Sequence, residues 1–222
     1  METKAFIKRE LPIWIVILIP MVYMAIVWNK LPDLVPVHWN VEGQVDNYGS
    51  RWLFPIINVV LYLLMLWAPL IDPWKKNYEK FGKSYYIFRL LFMCFFSVIS
   101  ATVITSAIGI KVNVERVIVP ATLILFMIIG NYLGTLRFNW FVGIRTPWTM
   151  TNEEVWRKTH YFAGKLWFWA SLIALPISFL FSNLLLFVFL MTVVAGISIT
   201  PILYSYILFK KYKDLDIIEK NN

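Results

Sequence analysis

Residues 86–110 read YIFRLLFMCFFSVISATVITSAIGI, and beyond Arg89 no charged side chain interrupts them. A helix needs about 20 apolar residues to cross a hydrocarbon core about 30 Å thick, so this segment is long enough to span a bilayer. Comparable runs lie on both sides of it, at 11–28 and 52–70 before it and at 117–136, 166–182 and 184–209 after it. The chain of 222 residues is 59% hydrophobic and 15% charged, whereas soluble domains are about half apolar and a quarter charged. The expected fold is an all-α integral membrane bundle of about six transmembrane helices.

Lys4, Lys8 and Arg9 precede the first run in the manner of a signal peptide. Leu11 to Trp28 is, however, longer than the usual hydrophobic region of about 7–15 residues, and Trp28-Asn29-Lys30 is not a small-residue cleavage site. The segment therefore reads as a retained anchor. Of the 21 Lys and Arg residues, only Lys30, Arg51, Lys111 and Arg116 fall outside when both termini are placed in the cytoplasm, with Arg89 snorkelling to the inner surface. The net charge of +8 is thus a topology signal, and it calls for no nucleic-acid partner. The protein is placed in a plasma membrane, with the lipid bilayer as its solvent.

Cys94 lies inside the quoted run, so no disulfide or cysteine cluster is available, and His38 and His160 lack metal-ligand spacing. No metal, cofactor or catalytic set is indicated. Pro20, Pro55, Pro120, Pro176 and Pro201 each remove a backbone donor and can kink a span. Asn58, Asn131 and the third span's Ser97, Ser100, Thr102, Thr105 and Ser106 suit interhelical hydrogen bonds, worth about 0.6 kcal/mol each on average. No acidic or basic residue stands near the centre of a span, which argues against a pump.

Two connecting segments have unusual composition. The outer one, 29–51, reads NKLPDLVPVHWNVEGQVDNYGSR. Val35, Val37, Trp39 and Val41 alternate with polar or turn residues as in a strand, and Glu42-Gly43 and Tyr48-Gly49 punctuate turns. A hairpin over the outer surface follows, with Pro36, His38, Trp39, Asn40, Gly43 and Tyr48 as candidate ligand contacts. A lid that only ties the first two spans together is the alternative.

The inner segment, 137–165, reads RFNWFVGIRTPWTMTNEEVWRKTHYFAGK. Thr151-Asn152-Glu153-Glu154 has the form of a capping box, in which the Thr151 hydroxyl caps a helix and Glu154 reaches back. That helix is amphipathic and predicted to lie at the inner interface before it feeds the fifth span. Ahead of it Gly143 permits a tight turn and Pro147 stiffens the exit. Arg145 is a forked donor suited to a carboxylate or lipid phosphate, and Trp148 is an interfacial anchor. Either Arg145 clasps Glu154 against the fifth span or it meets a ligand. His160 reads as a packed or capping side chain.

Asn139-Trp140-Phe141-Val142-Gly143-Ile144-Arg145-Thr146-Pro147-Trp148-Thr149, with Glu154-Val155-Trp156, Thr159-His160 and the earlier Gly130-Asn131, resembles the signature of the SdpI family of bacterial membrane immunity and signalling proteins. Leu31-Pro32, Pro36 to Asn40, Gly43-Gln44 and Tyr48 to Ser50 are similar to an uncharacterised N-terminal module often found with it. Tyr161 departs from the family pattern, which has a basic residue there, so no anion contact is assigned to it. The resemblance implies two modules, 1–85 with the outer loop and 86–222 with the inner loop. It also implies a non-enzymatic immunity protein that protects against a secreted sporulation-delaying toxin peptide and holds a cytoplasmic repressor at the membrane. Toxin would meet the outer loop, and the repressor the inner motif with Asn131, Asn139, Arg145, Thr146, Trp156 and His160. Two other readings stay open: a small transporter or channel, suggested by the prolines and the polar third span, and a lipid-acting enzyme using Arg145 and His160.

Overall fold

The computed structural model describes residues 2–40 and 42–221, with side chains at 4, 6–40 and 42–213. Val41, the last member of the outer alternation, lies outside the described residues. Among them are six α-helices: α1 (Glu2–Ile26), α2 (Leu53–Ile71), α3 (Tyr78–Ala107), α4 (Val114–Leu133), α5 (Glu153–Ser178) and α6 (Asn183–Asn221). Between α1 and α2 stands an antiparallel hairpin of β1 (Leu34–Trp39) and β2 (Val45–Ser50), pairing Leu34 with Ser50 and Pro36 with Tyr48. The chain is thus an all-α membrane protein with one small hairpin.

Successive helices run in opposite directions, so the bundle has a hairpin end and a loop end. Arg116 at the start of α4 donates to the Phe179 carbonyl beyond α5, and the Asn183 N–H that opens α6 donates to Glu115. At the other end Trp148 of the 137–152 loop donates to Ser205 on α6, and Lys158 on α5 donates to the Tyr212 hydroxyl. In hydrocarbon, helices associate through close packing of small residues, and α4 and α5 do so at Gly130 and Gly164. A Cβ at Gly130 would stand 2.9 Å from the Gly164 carbonyl oxygen.

By length and composition α1, α2, α3, α4 and α6 can each cross a membrane. α5 traverses the bundle from loop end to hairpin end, but its first half carries Glu153, Glu154, Arg157, Lys158 and Lys165. Only Leu166–Ser178 of it is apolar, about 20 Å of helix at 1.5 Å per residue. The polar half is the expected amphipathic segment, and it joins the span without a break because no residue within α5 leaves helical geometry.

Three sequence expectations need correcting. Asn152, not Thr151, caps α5: its Oδ1 accepts the N–H groups of Glu154 and Val155 at 2.8 and 3.0 Å, while the Thr151 hydroxyl donates to the Trp148 carbonyl. The asparagine carbonyl reaches two free donors, and a threonine one position earlier is outside the first turn. Pro55 lies in the first turn of α2, where its missing N–H has no helical partner to lose. Arg89 does not snorkel. α3 begins at Tyr78, ahead of the quoted run, so Arg89 is three turns into the helix and buried against Glu10 of α1.

Asn58 of α2 donates to Ser100 of α3 at 2.8 Å, as an interhelical bond should. Position 85 falls inside α3, which packs on α1 and α2 on one side and on α4 on the other.

Candidate functional site

At the hairpin end, Leu31 and Val35 are buried with Met24 of α1 and Val103 and Ile104 of α3, which fixes β1 over the bundle. Asn40 shapes the turn: its Oδ1 accepts the N–H groups of Glu42 and Gln44 at 3.0 and 2.9 Å, and Gly43 takes φ +76°. The turn leaves an apolar cavity of about 350 Å³ beneath it. Val37, His38, Trp39, Asn40 and Gly43 form its roof, Ile99, Thr102 and Val103 of α3 and Ile118 and Val119 of α4 its walls, and Phe187, Leu190 and Met191 of α6 its far side. His38 is exposed and its Nδ1 meets Asp46 at 2.6 Å. Four of the six outer candidates, His38, Trp39, Asn40 and Gly43, therefore line one cavity. Pro36 is buried outside it, and its register partner Tyr48 is exposed on the hairpin.

At the loop end, residues 137–150 fold around buried polar groups. The Asn139 side chain, fully buried, accepts from the N–H groups of Phe141 and Val142 and donates to the carbonyls of Arg137 and Val142. Asp72, between α2 and α3, accepts from Tyr78 and from the Trp140 N–H, both at 2.9 Å, and so anchors the loop to the first half of the chain. Thr149 ties Thr146 and the Ile144 carbonyl together. Pro147 is exposed at the exit, and Trp148 packs on Tyr206 with ring centroids 5.2 Å apart.

His160 is the centre of this fold. Its ring stacks on Trp156 at 4.0 Å, Nδ1 donates to the Trp156 carbonyl and Nε2 accepts the Ile144 N–H, both at 2.8 Å. Burial pushes the imidazole down to about 4, against the partial support of the Trp156 carbonyl, so it is neutral at pH 7. Both ring nitrogens are engaged, which leaves none to act as a base. Trp156 in turn donates to the Leu136 carbonyl at 3.2 Å. Gly143 has φ +122°, and any Cβ there would collide with His160.

Arg145 does not clasp Glu154. It is exposed and donates to the Trp140 carbonyl, while Glu154 forms a two-armed pair with Arg157 and reaches Lys158 at 3.4 Å. The i,i+3 and i,i+4 positions on α5 are nearer to Glu154 than the loop is. Asn131 stands apart, exposed on α4 in a cleft with Tyr161 and Lys165. Asp72 was not singled out from sequence, although an isolated acid before proline between an apolar run and Lys75-Lys76 was a signal. Asn152 stood only inside the capping box credited to Thr151, and Thr149 only at the end of the family motif. Among the described residues, no three His, Cys, Asp or Glu side chains come together as metal donors.

Residues 135–205 match the SdpI/YfhL protein family, and residues 15–66 match a domain of unknown function (DUF1648). The chain is 23% identical over 207 residues to the immunity protein SdpI of Bacillus subtilis (strain 168), an alignment covering 92% of this chain and 97% of that protein. No solved structure matches the chain. The resemblance carried by the Gly143–Trp148 motif is borne out, and with five apolar helices the chain is a multi-pass protein of the bacterial cytoplasmic membrane.

Proposed function

We propose that the chain, whose residues 135–205 match the SdpI/YfhL protein family, is a non-enzymatic membrane immunity protein that protects its own cell from a secreted antimicrobial peptide. Both termini are cytoplasmic in this reading, six helices cross the membrane, and the hairpin faces outward where a secreted peptide arrives. The observation that carries it is the apolar cavity under the hairpin. Its apolar lining suits the hydrophobic face of a membrane-active peptide, and the exposed His38 and Asp46 at the roof suit the peptide's polar side. The relation to a named immunity protein along nearly the whole chain supports the same conclusion.

At the loop end Trp140 and Phe141 are exposed beside Arg145, an aromatic and cationic surface of the kind proteins use as binding anchors. This favours the inner motif as the docking place of a cytoplasmic repressor. The inner candidates divide accordingly: Arg145 presents the surface, while Asn139, Gly143, Thr146, Trp156 and His160 hold it in shape.

The test is survival of toxin-sensitive cells that express the chain and are challenged with a sporulation-delaying peptide. Expression should protect them, Trp39→Ala should reduce protection at least about tenfold at matched membrane levels, and Tyr48→Ala should leave it intact. Protection that survives Trp39→Ala and His38→Ala together would remove the cavity from the mechanism. Arg145→Glu should abolish repressor-dependent reporter output without affecting survival.

A further inference from the structure

A second cleft, of about 690 Å³, opens at the loop end between α1, α2 and α3. Arg9, Lys83 and Arg89 line it together with Phe6, Leu66 and Trp67. Among the described residues Glu10 is the acid in contact with this group, and both its oxygens are already taken by Arg89, with Arg9 on Oε1 at 3.2 Å. Three cations against one carboxylate leave the cleft positive. Arg89 is 4% exposed, yet its Nε has no hydrogen-bond partner among the described residues. A buried guanidinium N–H left unmade is costly, so an acceptor is called for.

The depth and the walls identify the acceptor. Arg89 lies 18 residues before Ala107, the hairpin end of α3, or about 27 Å at 1.5 Å per residue, against a hydrocarbon core of about 30 Å. The cleft is therefore at the inner edge of the hydrocarbon core, within reach of the headgroups. Trp67 is 56% and Leu70 70% exposed on its α2 wall, an apolar surface facing lipid, with the tryptophan at the depth where aromatic belts sit. We propose that this cleft binds an anionic phospholipid, its phosphate held by Arg9, Lys83 and the free N–H of Arg89 and one acyl chain lying along Leu66, Trp67 and Leu70. Basic recesses between membrane helices suit such headgroups, and each cation near the surface adds appreciably to the attraction.

The test is native mass spectrometry of the full chain in detergent, titrated with phosphatidylglycerol or with phosphatidylcholine of the same acyl chains. Arg89→Gln strands Glu10 and is unsuitable, so the rim is changed instead. The wild type should retain phosphatidylglycerol over phosphatidylcholine. Arg9→Gln/Lys83→Gln should lower phosphatidylglycerol retention about tenfold or more, and Lys75→Gln/Lys76→Gln, which removes equal charge at the same end, should not. Millimolar inorganic phosphate should not displace the lipid. Equal retention of the two lipids, equal losses in the two double variants, no loss in Arg9→Gln/Lys83→Gln, or displacement by phosphate would each overturn the proposal.

Discussion

His160 accepts the backbone N–H of Ile144 at 2.8 Å, so a side chain on α5 holds the residue that precedes Arg145. The bond needs a neutral ring, which ties the shape of the loop to pH. The folded imidazole titrates at about 4 because burial disfavours its charge, against about 6.5 when unfolded. The unfolded chain therefore takes the proton first. This stability is fully present above about pH 6.5 and falls as pH drops towards 4, by about 3 kcal/mol in all. Thermal melting in detergent should show the decline between pH 6.5 and 4, and His160→Gln should flatten it. Parallel pH slopes for the two proteins would contradict the assignment. Glu154, held at about 2 first by its hydrogen bond to Arg157, has an ordinary carboxylate value when unfolded, so its own loss of stability begins only below about pH 5 and the slope between pH 6.5 and about 5 reports His160.

Gly143 and Gly43 both have positive φ, but only Gly143 faces a neighbour. Gly143→Ala should cost about 2–4 kcal/mol, combining the backbone penalty with overpacking on His160. Gly43→Ala meets open space and should cost about 1 kcal/mol. Melting curves of the two variants would separate these causes, and equal shifts would exclude the His160 collision.

Asn152→Ala removes the cap of α5 and should destabilise the protein by about 0.5–2 kcal/mol, exposing residues 137–152 to protease in inside-out vesicles. Thr151→Ala loses only the hydroxyl bond to Trp148 and should stay protected. A Thr151→Ala protein cleaved faster than Asn152→Ala would return the cap to the threonine.

Single cysteines at Asn47, Lys76, Asn113 and Lys213, in a Cys94→Ala background, test the proposed orientation. A membrane-impermeant thiol reagent should reach only positions 47 and 113 from outside intact cells. Labelling at 76 would invert or break the six-span arrangement.

Glu10 and Arg89 should be strongly coupled. Arg89→Gln alone leaves a buried carboxylate and should cost about 3–5 kcal/mol. Glu10→Gln/Arg89→Gln should recover much of that, because no charge is then left stranded. A double variant no more stable than Arg89→Gln would show the pair to be uncoupled.

Lipid as solvent made much of the fold legible in the sequence alone. Runs such as 86–110 need no partner to be recognised as membrane helices, since backbone groups in hydrocarbon must bond within their own helix. The alternation from Val35 and the turn residues at Gly43 foretold the hairpin, and the Gly143–Trp148 string foretold the match of residues 135–205 to the SdpI/YfhL protein family. What sequence could not decide was which polar groups meet. Glu10 and Arg89, Asp72 and Trp140, and Ile144 and His160 are far apart in the chain, and their pairing depends on how helices rotate and pack. Arg145 and Glu154 looked like natural partners by charge, yet Glu154 found nearer cations on its own helix. Charge and hydropathy are properties of a residue and its neighbours in sequence, and they set helices and hairpin. A buried hydrogen bond is a property of a distance across the bundle, so only the tertiary structure could give the loop its centre at His160 and Arg89 its place inside.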